Sequence, residues 1–201
     1  MDVRVATEGD VDGVAEVLGG AFERDPLWSW VFPDPAAMCR WWRLFVEEAL
    51  RFPWVWVLGD FAAVSVWIPP GESEMTEAGE ARAEELVHEL AGVPAPMVLD
   101  LLERFERAHP HEPPHYCLTL FGTAPERRGN GYGMDLLRRN LEVIDDEGMP
   151  AYLESTNPVN LDRYRSVGFE PHGSFERPDR GSIVTTMWRG GRSSPSPVRS
   201  A

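Results

Sequence analysis

Thr123-Ala124-Pro125-Glu126-Arg127-Arg128-Gly129-Asn130-Gly131-Tyr132-Gly133-Met134 joins an apolar run to a run of helical periodicity, and its reading decides the fold. The apolar run, His115 to Thr123, has prolines before it and Ala124-Pro125 after it, which predicts a strand. From Gly131 to Asp145, Met134, Leu137, Leu141 and Ile144 fall on one helical face. Three alternating glycines let the chain turn tightly and let a ligand reach the backbone with no Cβ in the way. The helix that follows aims free N–H groups and the positive end of its dipole at the loop. Such a turn binds phosphate or pyrophosphate, and Arg128 adds a charged contact.

Three phosphate-binding patterns compete for it. A P-loop needs Gly-Lys, and the chain contains no lysine. A dinucleotide fingerprint starting at Gly129 needs a third glycine where Met134 stands. The pattern R-x-x-G-x-G is met by Arg128, Gly131 and Gly133.

That last pattern resembles the acyl-coenzyme A loop of the GNAT superfamily of N-acetyltransferases. Pro125 stands three residues before the arginine, as in the family, and Leu136-Leu137 follows in the helix. Further on, Leu153-Glu154, the Asn160-x-x-x-Tyr164 spacing and Gly168-Phe169 resemble the family's second half. Met187-Trp188-Arg189 and Ala21-Phe22-x-x-Asp25-Pro26 resemble a branch that includes puromycin N-acetyltransferase. The resemblance is stronger over 115–189 than over 1–70, and 72–112 has no counterpart.

The resemblance implies an α/β fold: a mixed, mostly antiparallel central sheet flanked by helices, splayed between the fourth and fifth strands. It implies acetyl-CoA as co-substrate. Backbone groups of Leu120, Phe121 and Gly122 would meet pantetheine, and Phe121 would supply an oxyanion donor. Arg128, Gly129, Asn130, Gly131, Tyr132 and Gly133 would cradle the pyrophosphate, and Asn160 would hold the pantetheine side. Tyr164 would protonate the departing thiolate. An amine attacking directly must lose a proton, and Glu154 is the expected base, ahead of Asp25 and Glu23. Asp25, Trp28 and Trp30, with Trp42 beside them, are expected to line an acceptor pocket, the rings offering cation–π contact. The implied activity is N-acetylation of a primary amine on a small cationic molecule. The alternatives are a protein N-terminal or lysine acetyltransferase, a longer-chain acyltransferase and a non-catalytic acyl-CoA-binding or sensory module.

Away from the loop, residues 1–189 read as one domain. Asp10 is placed to cap a first helix, and strands are expected over Trp54–Leu58 and Phe61–Ile68 around a Gly59-Asp60 turn. The segment 72–112 reads as a Glu-rich helical insertion, with helices near Glu77–Leu90 and Ala95–Arg107. Gly, Ser, Pro and Arg dominate 190–201, which reads as a disordered tail. His109, His111 and His115 lack a cysteine partner at zinc spacing, so no metal is expected. Cys117 reads as a buried, inert thiol.

The chain has 201 residues with 33 acidic and 19 basic side chains, a formal net charge of −14. That balance disfavours nucleic acid and anionic membrane surfaces and favours a cationic small molecule. Two cysteines make no disulfide framework, and neither a signal peptide nor a membrane span is legible, so a cytoplasmic protein is expected. Aromatic strands would suit a homodimer.

Overall fold

Seven short β-rich runs supply the strands of one sheet. A computed structural model describes residues 1–191. Most of the stretch expected to be a tail, 192–201, lies outside the described residues. The strands are β1 (Val3–Val5), β2 (Val55–Leu58), β3 (Ala63–Ile68), β4 (Tyr116–Thr123), β5 (Ala151–Ser155), β6 (Glu170–Glu176) and β7 (Ile183–Arg189). They form one sheet in the order β1-β2-β3-β4-β5-β7-β6. Every pairing is antiparallel except β4 with β5. This is the mixed, mostly antiparallel sheet expected from the resemblance.

Helices α1 (Val11–Phe22), α2 (Trp28–Val31), α3 (Pro35–Ala49), α4 (Glu77–Leu90) and α5 (Ala95–Ala108) contribute to the core on one face of the sheet. There Val14, Leu18, Trp41, Trp42 and Val98 meet Val55, Val57, Val64 and Val66. Helix α6 (Tyr132–Asp146) covers the other face, with Leu137, Leu141 and Ile144 against Trp67, Leu118 and Leu153. A short α7 (Leu161–Arg165) follows β5. Pro35 at the first turn and Asp34, whose carboxylate accepts from Ala36 N at 3.1 Å, start α3.

One residue sets the geometry of the centre. Opposite β3, Val66 pairs with Leu120 but Trp67 pairs with Leu118, so Thr119 is an extra residue bulged out of β4. The bulge reverses the side-chain parity. Cys117 and Leu120 both join the core under α1 and α3, while Leu118 faces α6. Gly122 then sits beneath α1 so closely that a Cβ would lie 2.9 Å from that of Ala21. Gly133 does the same for α6: its Cβ would fall 2.5 Å from Thr123 Oγ1.

Two local expectations are corrected. Asp10 does not cap α1 through its side chain; it turns back to accept from Thr7 N at 2.8 Å and pairs twice with Arg4, at 2.6 and 2.8 Å. The β2–β3 turn is four residues, not two, because Phe61 takes a positive φ of 51° and seats its ring against Gly13. The aromatic stretch after Pro26 is helical at Trp28–Val31, started by Asp25 accepting from Leu27 N and Trp28 N.

On the α6 side, Asn140 is fully buried and its Oδ1 accepts from Ser65 Oγ at 2.7 Å and Trp67 Nε1 at 3.1 Å. Asn140→Leu strands both donors in the core and is expected to destabilise the fold by about 1–3 kcal/mol in urea unfolding. An unchanged midpoint would show that the network contributes nothing.

Candidate active site

The parallel pairing of β4 with β5 runs Tyr116↔Ala151, Cys117↔Tyr152, Leu118↔Leu153 and stops at the bulge. Beyond Leu118 the strands diverge, leaving the rest of β4 without a partner on that side. The gap opens into a cleft of about 540 Å³. Its walls include Thr119, Phe121, Gly122 and Thr123 from β4, and Glu154 and Ser155 from β5. Asp25 and the loop into α6 close two further sides.

The loop presents backbone rather than side chains. Gly129 and Gly131 adopt positive φ of 82° and 79°, and a Cβ at either would meet nothing within 4 Å. The first hydrogen bond of α6 runs from Asp135 N to Gly131 O, at 2.9 Å. The N–H groups before Asp135 therefore stand free of the helix's own ladder. With the dipole of a 15-residue helix behind them, they suit a phosphate or pyrophosphate. Arg128 donates to Gly20 O and Ala21 O, at 2.9 and 3.2 Å, so it joins the loop to the end of α1.

Two carboxylates stand in the cleft in unlike settings. Asp25 is buried, which pushes its carboxyl up. Three hydrogen bonds oppose that shift, from Leu27 N and Trp28 N (3.0 Å each) and Thr156 Oγ1 (2.7 Å). Glu154 has 14% of its side chain exposed. Desolvation pushes it up to about 8; the nearby Tyr152 opposes the rise and the charges of Glu74 and Glu106 add to it. Glu74 is itself pushed up to about 7, first by burial, with Thr119 opposing the rise. Tyr164, packed near Phe121 and Phe169, is raised to about 12 by burial, with Asp25 adding to the shift. Its phenol keeps its proton at neutral pH and is able to donate it.

The cleft gathers most of the residues singled out in the sequence. Phe121, Gly122, Arg128, Gly129, Gly131, Tyr132, Gly133, Glu154, Asn160, Tyr164 and Asp25 all line it. Leu120 turns its side chain into the core, leaving only backbone on the strand. Asn130 lies beside the cleft and donates to Arg127 O and Arg128 O. Glu23 is exposed. The tryptophans are elsewhere. Trp28 is 7% exposed in a cluster with Phe32, Trp41, Trp42 and Phe105. Trp42 is buried in that same cluster, and Trp30 lies under Arg177, 4.4 Å from ring centre to guanidinium. Their area serves the α1–α3–α5 interface, whose apolar demand pairwise spacing cannot convey.

Sequence reasoning missed Thr156, which holds Asp25, and the reach of the 72–112 helices toward Glu154. Glu74 and Glu106 carry no local signal within a Glu-rich stretch. His109 Nδ1 lies 4.0 Å from Glu154 Oε1. Among the described residues, no group of three or more His, Cys, Asp or Glu is placed to hold a metal ion. Cys117 is buried and free, and burial raises its thiol well above its ordinary value, beside Glu154 and Glu74.

Raised carboxyls leave a signature in stability. Between an ordinary value of 4.5 and about 8, folded Glu154 holds a proton that the unfolded chain has released. Stability therefore falls as pH rises through that window, by at most about 1.4 kcal/mol per pH unit for one group. Glu154→Gln is expected to flatten that fall in urea unfolding at acidic, neutral and mildly alkaline pH. Parallel wild-type and variant curves would mean that Glu154 ionises normally.

No family model matches the chain. An uncharacterized N-acetyltransferase of Schizosaccharomyces pombe is 27% identical over 128 residues, which cover 56% of this chain and 49% of the relative. The chain thus spans about half the length of the curated relative it matches. A solved structure described as histone acetyltransferase HPA2 and related acetyltransferase, from Corynebacterium glutamicum, superposes with a TM-score of 0.67 at 24% identity, covering 96% of this chain and 97% of that one. The polyamine N-acetyltransferase of Drosophila melanogaster, which forms N-acetylagmatine, gives 0.65 at 17% identity over 94% and 99%. An agmatine N-acetyltransferase gives 0.65 at 19% over 94% and 98%. With its mixed seven-stranded sheet opened between a parallel β4 and β5, the chain has the fold of the GNAT N-acetyltransferases.

Proposed function

We propose that this protein is an acetyl-CoA-dependent N-acetyltransferase acting on a primary amine of a small cationic molecule. The observation that carries the reading is the coincidence, in one cleft, of an anion-binding helix start with a carboxylate and a phenol suited to proton traffic.

The residues present fit acetyl-CoA. The positive-φ glycines Gly129 and Gly131 open the start of α6 to a pyrophosphate, with Arg128 adding charge. The free edge of β4 from Thr119 to Thr123 suits an extended arm carrying amide groups, because unpaired strand groups need partners. Asn160, across the cleft, has the donors to hold that arm. When bound, the co-substrate supplies an activated acetyl thioester.

The chain's own groups then have distinct tasks. Glu154, its carboxyl near neutrality, takes the proton of the incoming ammonium. The Phe121 backbone N–H is the oxyanion donor in this reading. Tyr164 gives its proton to the departing sulfur. Asp25, its oxygens held by three donors, stays in place as a fixed negative wall for a cation. The neighbouring carboxylates and the net charge of −14 also favour a cationic acceptor. Two structural relatives are described as acting on agmatine or polyamines, which are such molecules. A reducing, cytoplasmic setting is in keeping with two free cysteines.

Calorimetric titration with acetyl-CoA, alongside coenzyme A and NAD, tests the first half of the reading. Binding of the coenzyme A compounds without NAD is expected, and Gly131→Trp should abolish it while circular dichroism stays native. No heat with wild type would end the acetyltransferase reading. Thiol release with a panel of amines tests the second half. Tyr164→Phe should lower kcat on the order of 100-fold with little change in co-substrate affinity. Binding without turnover on any amine would instead favour the non-catalytic acyl-CoA-binding module.

A further inference from the structure

We propose that His109 and Glu154 share a single proton, the one shed by the acceptor ammonium, and that His115 is the positioning residue that aims His109 at Glu154. The inference rests on the reading of Glu154 as base. It assigns a task to the 72–112 insertion, whose last helix is followed directly by His109.

The geometry fixes where hydrogens sit. His115 Nδ1 lies 2.8 Å from Pro113 O, and a carbonyl only accepts, so that nitrogen carries hydrogen. His115 Nε2 lies 3.3 Å from His109 Nε2. Two ring nitrogens meeting in this way share one hydrogen. With both rings neutral, His109 Nε2 bears it and donates, which leaves the lone pair of His109 on Nδ1. That Nδ1 is the atom 4.0 Å from Glu154 Oε1. A small closure, or one bridging water, makes it a hydrogen bond.

The rings are held. Tyr152 meets both edge-on, with centroids 5.0 Å from His109 and 5.6 Å from His115, and Trp188 lies 5.0 Å from His115. The Tyr152 hydroxyl bonds Ala108 O at 3.3 Å, beside His109. Every nitrogen of the histidine pair but one is thus engaged, and an added proton finds only His109 Nδ1.

The proton then has two homes of equal total charge: a neutral Glu154 acid beside neutral His109, or a carboxylate beside an imidazolium. The surroundings choose the first. Burial pushes His109 down to about 4, with His115 and His111 adding to it. Glu74 from the β3–α4 loop and Glu106 from α5 push Glu154 up, the nearby Tyr152 opposes them, and the Cys117 thiol lies within its field. The balance over one turnover closes. The ammonium gives one proton to the pair, leaving a lone pair on nitrogen to form the new C–N bond as the C–S bond breaks. Tyr164 protonates sulfur and is reprotonated from the new amide nitrogen. The proton held by Glu154 and His109 is the net one released to solvent.

Nitrogen-15 NMR of the imidazoles in the wild-type protein, assigned with His109→Phe and His115→Phe, tests the arrangement without turnover. The expected spectrum has hydrogen on His115 Nδ1 and on His109 Nε2, with His109 Nδ1 bare at neutral pH. Hydrogen on His109 Nδ1 at neutral pH would overturn the proposal. The pH profile of kcat/KM tests its consequence. His109→Phe keeps the ring's bulk but removes the lone pair that favours protonated Glu154, so the acid limb should move down by about one unit. An unmoved limb would reduce His109 to packing and leave Glu154 as base. Full turnover by Glu154→Gln would instead remove the reading beneath, whatever the histidines do.

Discussion

Two parallel strands that stop pairing after three residues govern everything at the cleft. Unpaired backbone groups cannot stay buried without partners, so a sheet that opens at its centre demands something to fill the opening. The bulged Thr119 enforces the parting, and the parity change it causes brings Gly122 under α1 and Thr123 against α6. Two helices thereby clamp β4 just where β5 has left it. The start of α6 then lies at one wall and Glu154, on β5, at another.

The two cleft carboxylates illustrate how similar burial gives different chemistry. Both are pushed up by desolvation. Asp25 spends its lone pairs on two backbone amides and a threonine, which fix α2 to the strand end after β5. A proton taken up there competes with a donor already in place on either oxygen. Glu154 faces weaker obligations and two other carboxylates, so a proton relieves it. Hydrogen-bond supply, rather than residue type, divides the two: three donors oppose the upward shift at Asp25, while at Glu154 two other carboxylates add to it.

The strand, the turn and the helix were legible because β4, the glycine turn and α6 are contiguous in sequence, whereas the opened sheet was implied only by the family resemblance that this loop carries. Apolar periodicity, the absence of lysine and the glycine spacing act over a few residues each, and they selected one loop type. The rest depended on partners far along the chain. Nothing local tells that Trp28 meets Phe105 in a core, or that Thr156 holds Asp25 across 131 positions. His109 and His115 stood out as a pattern, but without the distances to Pro113 O and Glu154 they looked only like a metal motif that lacks a ligand. Asp10 was read as a cap because Asp favours that place, yet Arg4 offers two bonds that outweigh it.

The sheet's margins have a consequence for how copies of the chain meet. At one margin β1 is three residues long. At the other, β6 carries Pro171, which has no N–H to give, and an extra residue at His172 that breaks its register with β7. Glu170 and Glu176 bracket the strand with like charge. A strand added from outside would find too few donors at one rim, and at the other a gap, a kink and repulsion. Growth into an extended ribbon is thus blocked at both rims, which protects a chain with eight tryptophans from sheet-to-sheet aggregation.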